Sequence, residues 1–433
     1  MNKSTNRPLG TNEKVFWLLD QITTTHFAVV AELDGNLPED SWRQALDIVQ
    51  HRHPNLSVQI SGNEYHALHF NHVEDCRIPL RVVKAHTGES WNGVLEEELC
   101  NPLDTTIAPL VRTVLIQQPG KSVFMFISNH SIGDGMSAAL AIRDILTVLS
   151  GRTIEGLLPL APLDELAGAP LNEIENVKLQ DFEQVKSNVT PRLYVNFERV
   201  KLSSTLTKKM IERSKLEKTT VHGALSAVIV LTLKMRNESS QERAVGILHP
   251  LSARTTLSLG DDYSLLNSII NLPYQPSHQQ EFWDFAREVR QGLSITQAPE
   301  WIKADTTATQ GLFASGMDIN AVADALRHGT AHDVLLSNLG LISFESDFGD
   351  LQLKSIYGPM VLTAHPLAQT IGVVTFNGEL TLSLTGLVPS QSLLDAVVKI
   401  IEKVCNTEQD MQIGDLISIS GSSASPAFSL NHK

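Results

Sequence analysis

One segment constrains the fold more than any other: Ser122-Val-Phe-Met-Phe-Ile-Ser-Asn-His130-Ser-Ile-Gly-Asp134-Gly135-Met-Ser-Ala-Ala-Leu140. A strongly apolar run of strand length ends in Asn129-His130. A glycine-containing turn follows. A helix then carries Met136, Leu140, Ile142, Leu146 and Leu149 on its buried side. A histidine at a strand end is held rigidly yet can face a cleft, and a neutral imidazole there can accept a proton near pH 7. Asp134 lies where the helix starts. It can hold the turn by pairing with an arginine, or simply N-cap the helix. Gly135 removes a side chain where a substrate needs to approach, or relaxes the turn. The HxxxD spacing recurs by chance, so from these residues alone both readings stay open, and His130 can equally be satisfying a backbone group.

The same periodicities organise the rest of the chain. Strands are predicted at 26–34, 77–84, 111–117 and 122–128, with helices at 38–51 and 89–100. The stretch 151–191 holds Pro159, Pro162, Pro170 and Pro191 without a sustained period and reads as a crossover linker. Periodicity resumes with a strand from Tyr194. Ser203 or Ser204 then caps a helix to about Leu216, and a buried helix runs from Thr219 or Thr220 to about Lys234. Later strands are expected at 244–249, 268–273, 333–338, 351–357, 371–376 and 380–386, and helices at 281–294 and 390–404. This gives an α/β chain of two layered domains, 1–150 and 192–415, joined by the linker and followed by a Ser-rich flexible tail at 416–433. A cleft between such halves is a favoured ligand site.

Composition excludes several classes. The 433 residues are 42% hydrophobic and 19% charged, ordinary globular values. The formal net charge of −14 argues against generic binding to nucleic acid or anionic membrane. The apolar run Val221 to Leu233 is shorter than the ~20 residues of a membrane span, so no stable membrane insertion is expected. Cys76, Cys100 and Cys405 lie outside any zinc or CxxC spacing and read as reduced thiols of a cytoplasmic protein. His66, His69 and His72 do not converge on a strand, so no metal site is expected. P-loop, GxGxxG, GxSxG and HExxH motifs are absent in suitable context.

The strand–NHSIGDG–helix arrangement and the long crossover after it resemble the chloramphenicol acetyltransferase-like superfamily, which includes condensation domains, plant HxxxD acyltransferases, alcohol acetyltransferases and phthiocerol-esterifying enzymes. The likeness covers most of the chain. Residues 9–21 look like the opening of phthiocerol-type and alcohol acetyltransferase members. ALDIVQHRHPNL (45–56), TTVHGALSA (219–227), GILHPLSAR (246–254) and SNLG (337–340) are similar to further family segments in the same order. DFG (347–349) matches only three residues of the plant DFGWG element. Condensation domains usually carry HHxxxDG, whereas Asn129 precedes His130 here. That departure points toward free-standing O-acyltransferases.

The resemblance implies two mixed sheets with flanking helices forming a V around a central tunnel. It implies an acyl thioester donor, acyl-CoA or phosphopantetheine on an acyl carrier protein, with no permanently bound cofactor. His130 is the implied general base toward a small-molecule alcohol. Asp134 is implied to be structural, paired with Arg254, with Gly135 beside them; a solvated surface arginine is the alternative for Arg254. Ser337 and Asn338 are candidate oxyanion or tunnel residues, and ordinary strand-end bonding is the alternative. Lys208, Lys209, Arg213, Lys215 and Lys218 form a basic run, either a solvated helix face or a landing site for an anionic donor. The expected function is a stand-alone, monomeric acyltransferase forming an ester in lipid or secondary-metabolite biosynthesis. An amide-forming enzyme and a non-catalytic module that binds a carrier protein are the alternatives.

Overall fold

The computed structural model describes residues 6–62, 68–169, 194–236, 242–389, 392–407 and 409–420. The chain starts with β1 (Arg7–Pro8), α1 (Thr11–Ile22), β2 (Phe27–Asp34), α2 (Glu39–Arg52), β3 (Val58–Ser61), β4 (His69–His72) and β5 (Leu80–Lys84). It continues through α3 (Asn92–Cys100), β6 (Val111–Gln118), β7 (Lys121–Ser128), α4 (Gly135–Leu149) and the short α5 (Leu163–Leu166). Then come β8 (Asn196–Lys201), α6 (Ser204–Leu216), α7 (Val221–Arg236), β9 (Val245–Ser252), β10 (Asn267–Tyr274) and α8 (Phe282–Ser294). The last elements are α9 (Pro299–Phe313), α10 (Ile319–Gly329), β11 (Val334–Ile342), β12 (Asp347–Phe348), β13 (Leu351–Val361), β14 (Gln369–Phe376), β15 (Glu379–Gly386), α11 (Leu393–Asn406) and α12 (Ile413–Ser420).

Two six-stranded sheets form the lobes. The first has the order β12-β13-β2-β7-β6-β5 and the second β10-β9-β11-β14-β15-β8. Both are mixed: β5 runs parallel to β6, and β11 parallel to β9 and β14. The apolar run Val123 to Ile127 lies mid-sheet between β2 and β6 and is buried on both faces. On one face α2 and α4 cover it, with Trp42 stacked on Phe124 at 4.8 Å. Each large apolar side chain so enclosed contributes about 1.5–3 kcal/mol. In the second lobe α7 is apolar nearly all round, and Phe282, Phe285, Val397 and Ile401 from α8 and α11 pack around it.

Sheet membership does not follow the chain division at 192. Strands β12 and β13 lie beyond it yet join the first sheet, with β13 antiparallel to β2. The second lobe then grips β13 from behind. Thr381 Oγ1 donates to the Ile356 carbonyl at 2.7 Å and Thr385 Oγ1 to that of Val361 at 2.9 Å. A Cβ on Gly372 would lie 2.4 Å from the Pro359 carbonyl oxygen, so β14 approaches β13 closely only because that side chain is missing.

Other differences from the sequence reading are local. The strand expected at 77–84 begins at Leu80, since Pro79 has no N–H to pair. Helices α9 and α10 were not anticipated. Helix α12 continues to Ser420, beyond the expected start of the tail at 416, because Ile413 and Leu416 are buried in the second core. Most of the linker, the rest of the tail and His66 fall outside the described residues. His69 and His72 are exposed on β4. Among the described residues no cluster of metal-ligating side chains occurs, and no single helix is long and apolar enough to cross a membrane.

Candidate active site

His130 lies two residues past the end of β7. Asn129 fixes this corner: its amide donates to Asp20 of α1 at 3.0 Å, and its Oδ1 accepts the Ser131 N–H at 2.9 Å. The imidazole stacks on Phe16 of α1, with centroids 3.9 Å apart and planes at 15°, and Phe27 leans on it at 4.8 Å. The ring is 7% exposed and lines a cavity of about 400 Å³ between the lobes. Burial among these rings lowers its pKa to about 4; the Asp134 charge and the backbone of His130 and Gly133 oppose the shift only partly. The imidazole is therefore neutral at pH 7.

The Asp134 carboxylate is held by α4 and the second lobe. It N-caps α4, accepting the Ser137 N–H at 2.8 Å. Arg254, just past β9, reaches the same carboxylate from the other lobe at 2.8 and 3.1 Å, and the Leu266 N–H adds 3.0 Å. Burial alone would raise this carboxyl, but the Arg254 guanidinium and these N–H groups hold it below the usual range. Capping and ion pairing, alternatives in the sequence, coexist. Arg254 is buried and also donates to Ser137 Oγ at 2.8 Å, so it is no solvated surface group.

Gly135 lines the cavity, but the room left by its missing side chain is filled by protein. An added Cβ would lie 2.6 Å from Pro359 Cγ and 3.3 Å from Leu339. The close approach expected of a substrate there is made by β13. Gly133 likewise faces the Tyr263 ring, 2.5 Å from where its Cβ would be.

Ser337 and Asn338 on β11 also line the cavity. Asn338 Oδ1 accepts the Gly340 N–H at 2.8 Å. The basic run does not meet this site. Lys208 pairs with Glu212 at 3.8 Å, Lys209 donates to Asn406 at 2.7 Å, and Arg213 pairs with Glu217 at 2.9 Å while lying over Trp283. None of Lys208, Lys209, Arg213, Lys215 or Lys218 lines the cavity.

Several cavity residues escaped the sequence reading. On α1, Asn12, Phe16 and Leu19 face it; on α9, Asp305, Thr309 and Leu312; on β10, Asn267, Ile269 and Asn271. Their spacings of three, four and two are the helix and strand face periods, so a face mixing polar and apolar residues on each element was the available signal. Asp164 of α5 accepts from Thr11 N at 2.9 Å and Gln310 Nε2 at 3.0 Å, tying α1 to α9. His332 and His365 line the cavity too, their rings edge-on at 5.1 Å.

No family model matches the chain. Over 158 residues it is 27% identical to tyrocidine synthase 3 of Brevibacillus parabrevis, a match covering 35% of this chain and 2% of that synthase. Solved structures match over nearly the full length. The first condensation domain of the CDA synthetase superposes with a TM-score of 0.67 at 14% identity, covering 96% of this chain and 99% of that one. The trichothecene 15-O-acetyltransferase of Fusarium sporotrichioides gives 0.67 at 15% identity, covering 92% and 94%. The chain has the two-lobed fold that condensation domains share with chloramphenicol acetyltransferase-like acyltransferases.

Proposed function

We propose that the protein is an acyltransferase that moves an acyl group from a thioester, acyl-CoA or acyl-pantetheine on a carrier protein, to an acceptor hydroxyl. The observation that carries this reading is a neutral His130 on the wall of an inter-lobe cavity, with Asp134 committed to Arg254. The Nδ1 side of the ring is buried, which leaves Nε2 to serve the cavity. Nε2 takes the hydroxyl proton as the acceptor oxygen attacks the thioester carbonyl carbon. The tetrahedral intermediate then expels the thiolate, which recovers the proton from His130. Ser337 Oγ and the Asn338 amide are the proposed donors to the oxyanion. Asp134 shapes the turn and takes no proton.

The likeness to condensation domains favours one second reading, an amine acceptor and an amide product. One experiment separates the cases. The protein is incubated with acyl-CoA or with acyl-pantetheine on a carrier protein, and a mixed pool of alcohols and amines, while carrier binding, thiol release and product mass are followed. Ester with stoichiometric thiol supports the main reading, and amide the second. Carrier-protein binding without thiol release contradicts both.

A further inference from the structure

Among the described residues five ionisable side chains line the cavity: His130, Asp134, Asp305, His332 and His365. His130 is neutral, and Asp134 is balanced by Arg254. Burial lowers the pKa of His332 and His365, so neither adds positive charge at neutral pH. Of these five, Asp305 is the one left unbalanced. It projects from α9, and its hydrogen-bond partner is the Ile269 N–H of β10, the edge strand of the second sheet. No ion pair to Asp305 exists among the described residues, and burial without a cation pushes the carboxyl up to about 6. Asn267 and Asn271 flank Ile269 on the cavity-lining face of β10, and each has a buried Oδ1 with no donor among the described residues. This wall offers acceptors and no cation, and a ligand that completes it must bring donors and positive charge.

We propose that the substrate of this cavity carries a protonated amine, with Asp305 as its counter-ion and the Asn267 and Asn271 side-chain oxygens accepting further N–H or O–H groups. The inference rests on the cavity being the acyl-transfer site and narrows what enters it to a cationic amino compound. An amine held on Asp305 stays protonated and does not react; the attacking group is a different hydroxyl or amine of the same molecule, or belongs to its co-substrate.

The test is binding, so it does not depend on turnover. Octylammonium, 1-octanol and octanoate are titrated calorimetrically into the 433-residue protein and into Asp305→Asn. Octylammonium is expected to bind roughly 10-fold or more tighter than octanol, the scale of one charge-assisted hydrogen bond, with octanoate weakest. Asp305→Asn should erase that preference, whereas Asp75→Asn, at an exposed position, should keep it. Asp305→Glu provides a second variant that retains the charge and should retain the preference. Equal affinity for ammonium and alcohol, no ammonium binding, or an unchanged preference in Asp305→Asn would overturn the proposal. The binding arms are read without turnover, so absence of thiol release in the acyl-transfer assay leaves them standing, and loss of the ammonium preference leaves that assay standing; the two failures are told apart.

Discussion

Arg254 Nη1 lies 2.8 Å from Asp134 Oδ2, so the carboxylate four residues after His130 is neutralised from the opposite lobe. The pair fixes the turn that presents the imidazole and joins the two halves of the site. Removing one partner strands a buried charge. Asp134→Asn should lower unfolding free energy by about 3 kcal/mol in urea titrations, and activity should fall with it. Wild-type stability and turnover in that variant would show the pair to be idle.

Acid should weaken the fold through the same carboxyl. Its pKa is depressed on folding, so its stabilisation is complete above the ordinary carboxylate value and is lost as pH falls through the lower folded value. Asp134→Asn should therefore show a shallower loss of stability in the acid range than wild type, measured by urea midpoints at successive pH values.

His130 has the opposite chemistry but the same slope. Its folded pKa of about 4 lies below the unfolded value of 6.5, so the unfolded chain binds more protons between them and stability falls as pH drops through that window. Activity needs the neutral ring. kcat/KM should hold level from pH 7 to about 5 as far as this group is concerned, then decline near 4. An acid limb close to 6.5 that disappears in a His130 variant would contradict the burial described here.

Phe16 covers that imidazole at 3.9 Å. Phe16→Ala should admit water beside the ring, move the acid limb of kcat/KM up toward 6.5 and reduce kcat by roughly 10-fold through lost orientation. An unmoved limb would mean that Phe16 does not shield His130.

Gly135→Ala would place a methyl 2.6 Å from Pro359 Cγ. The resulting shift of α4 against β13 should cost about 1–3 kcal/mol, read from the denaturation midpoint. A neutral substitution would show that β13 yields there freely.

Much of this fold was legible because its elements obey local rules. The run Val123 to Ile127, the helix after Asp134 and the apolar α7 each announce their burial by composition and period. The transfer of β13 to the first sheet was not legible. Its partner Ala31 lies more than three hundred residues earlier, and nothing in the sequence near Ile356 states that pairing. Helix α9 mixes Asp305 and Thr309 on its cavity side with buried Ile302 and Phe313, which blurs its period, whereas the apolar stripe of α10, Ile319, Val322 and Ala323, was legible at helical spacing. His130, Asp134 and Arg254 could be picked out by motif. Phe16 and Asp305 could not, since their significance comes from what folding places beside them.

The central claim is general-base acyl transfer by His130, and thiol release from acyl-CoA or acyl-pantetheine with acceptor present tests it most directly. His130→Ala should bind donor and acceptor with unchanged affinity yet release thiol about 10²–10⁴ times more slowly. Release by that variant at the wild-type rate would contradict the account.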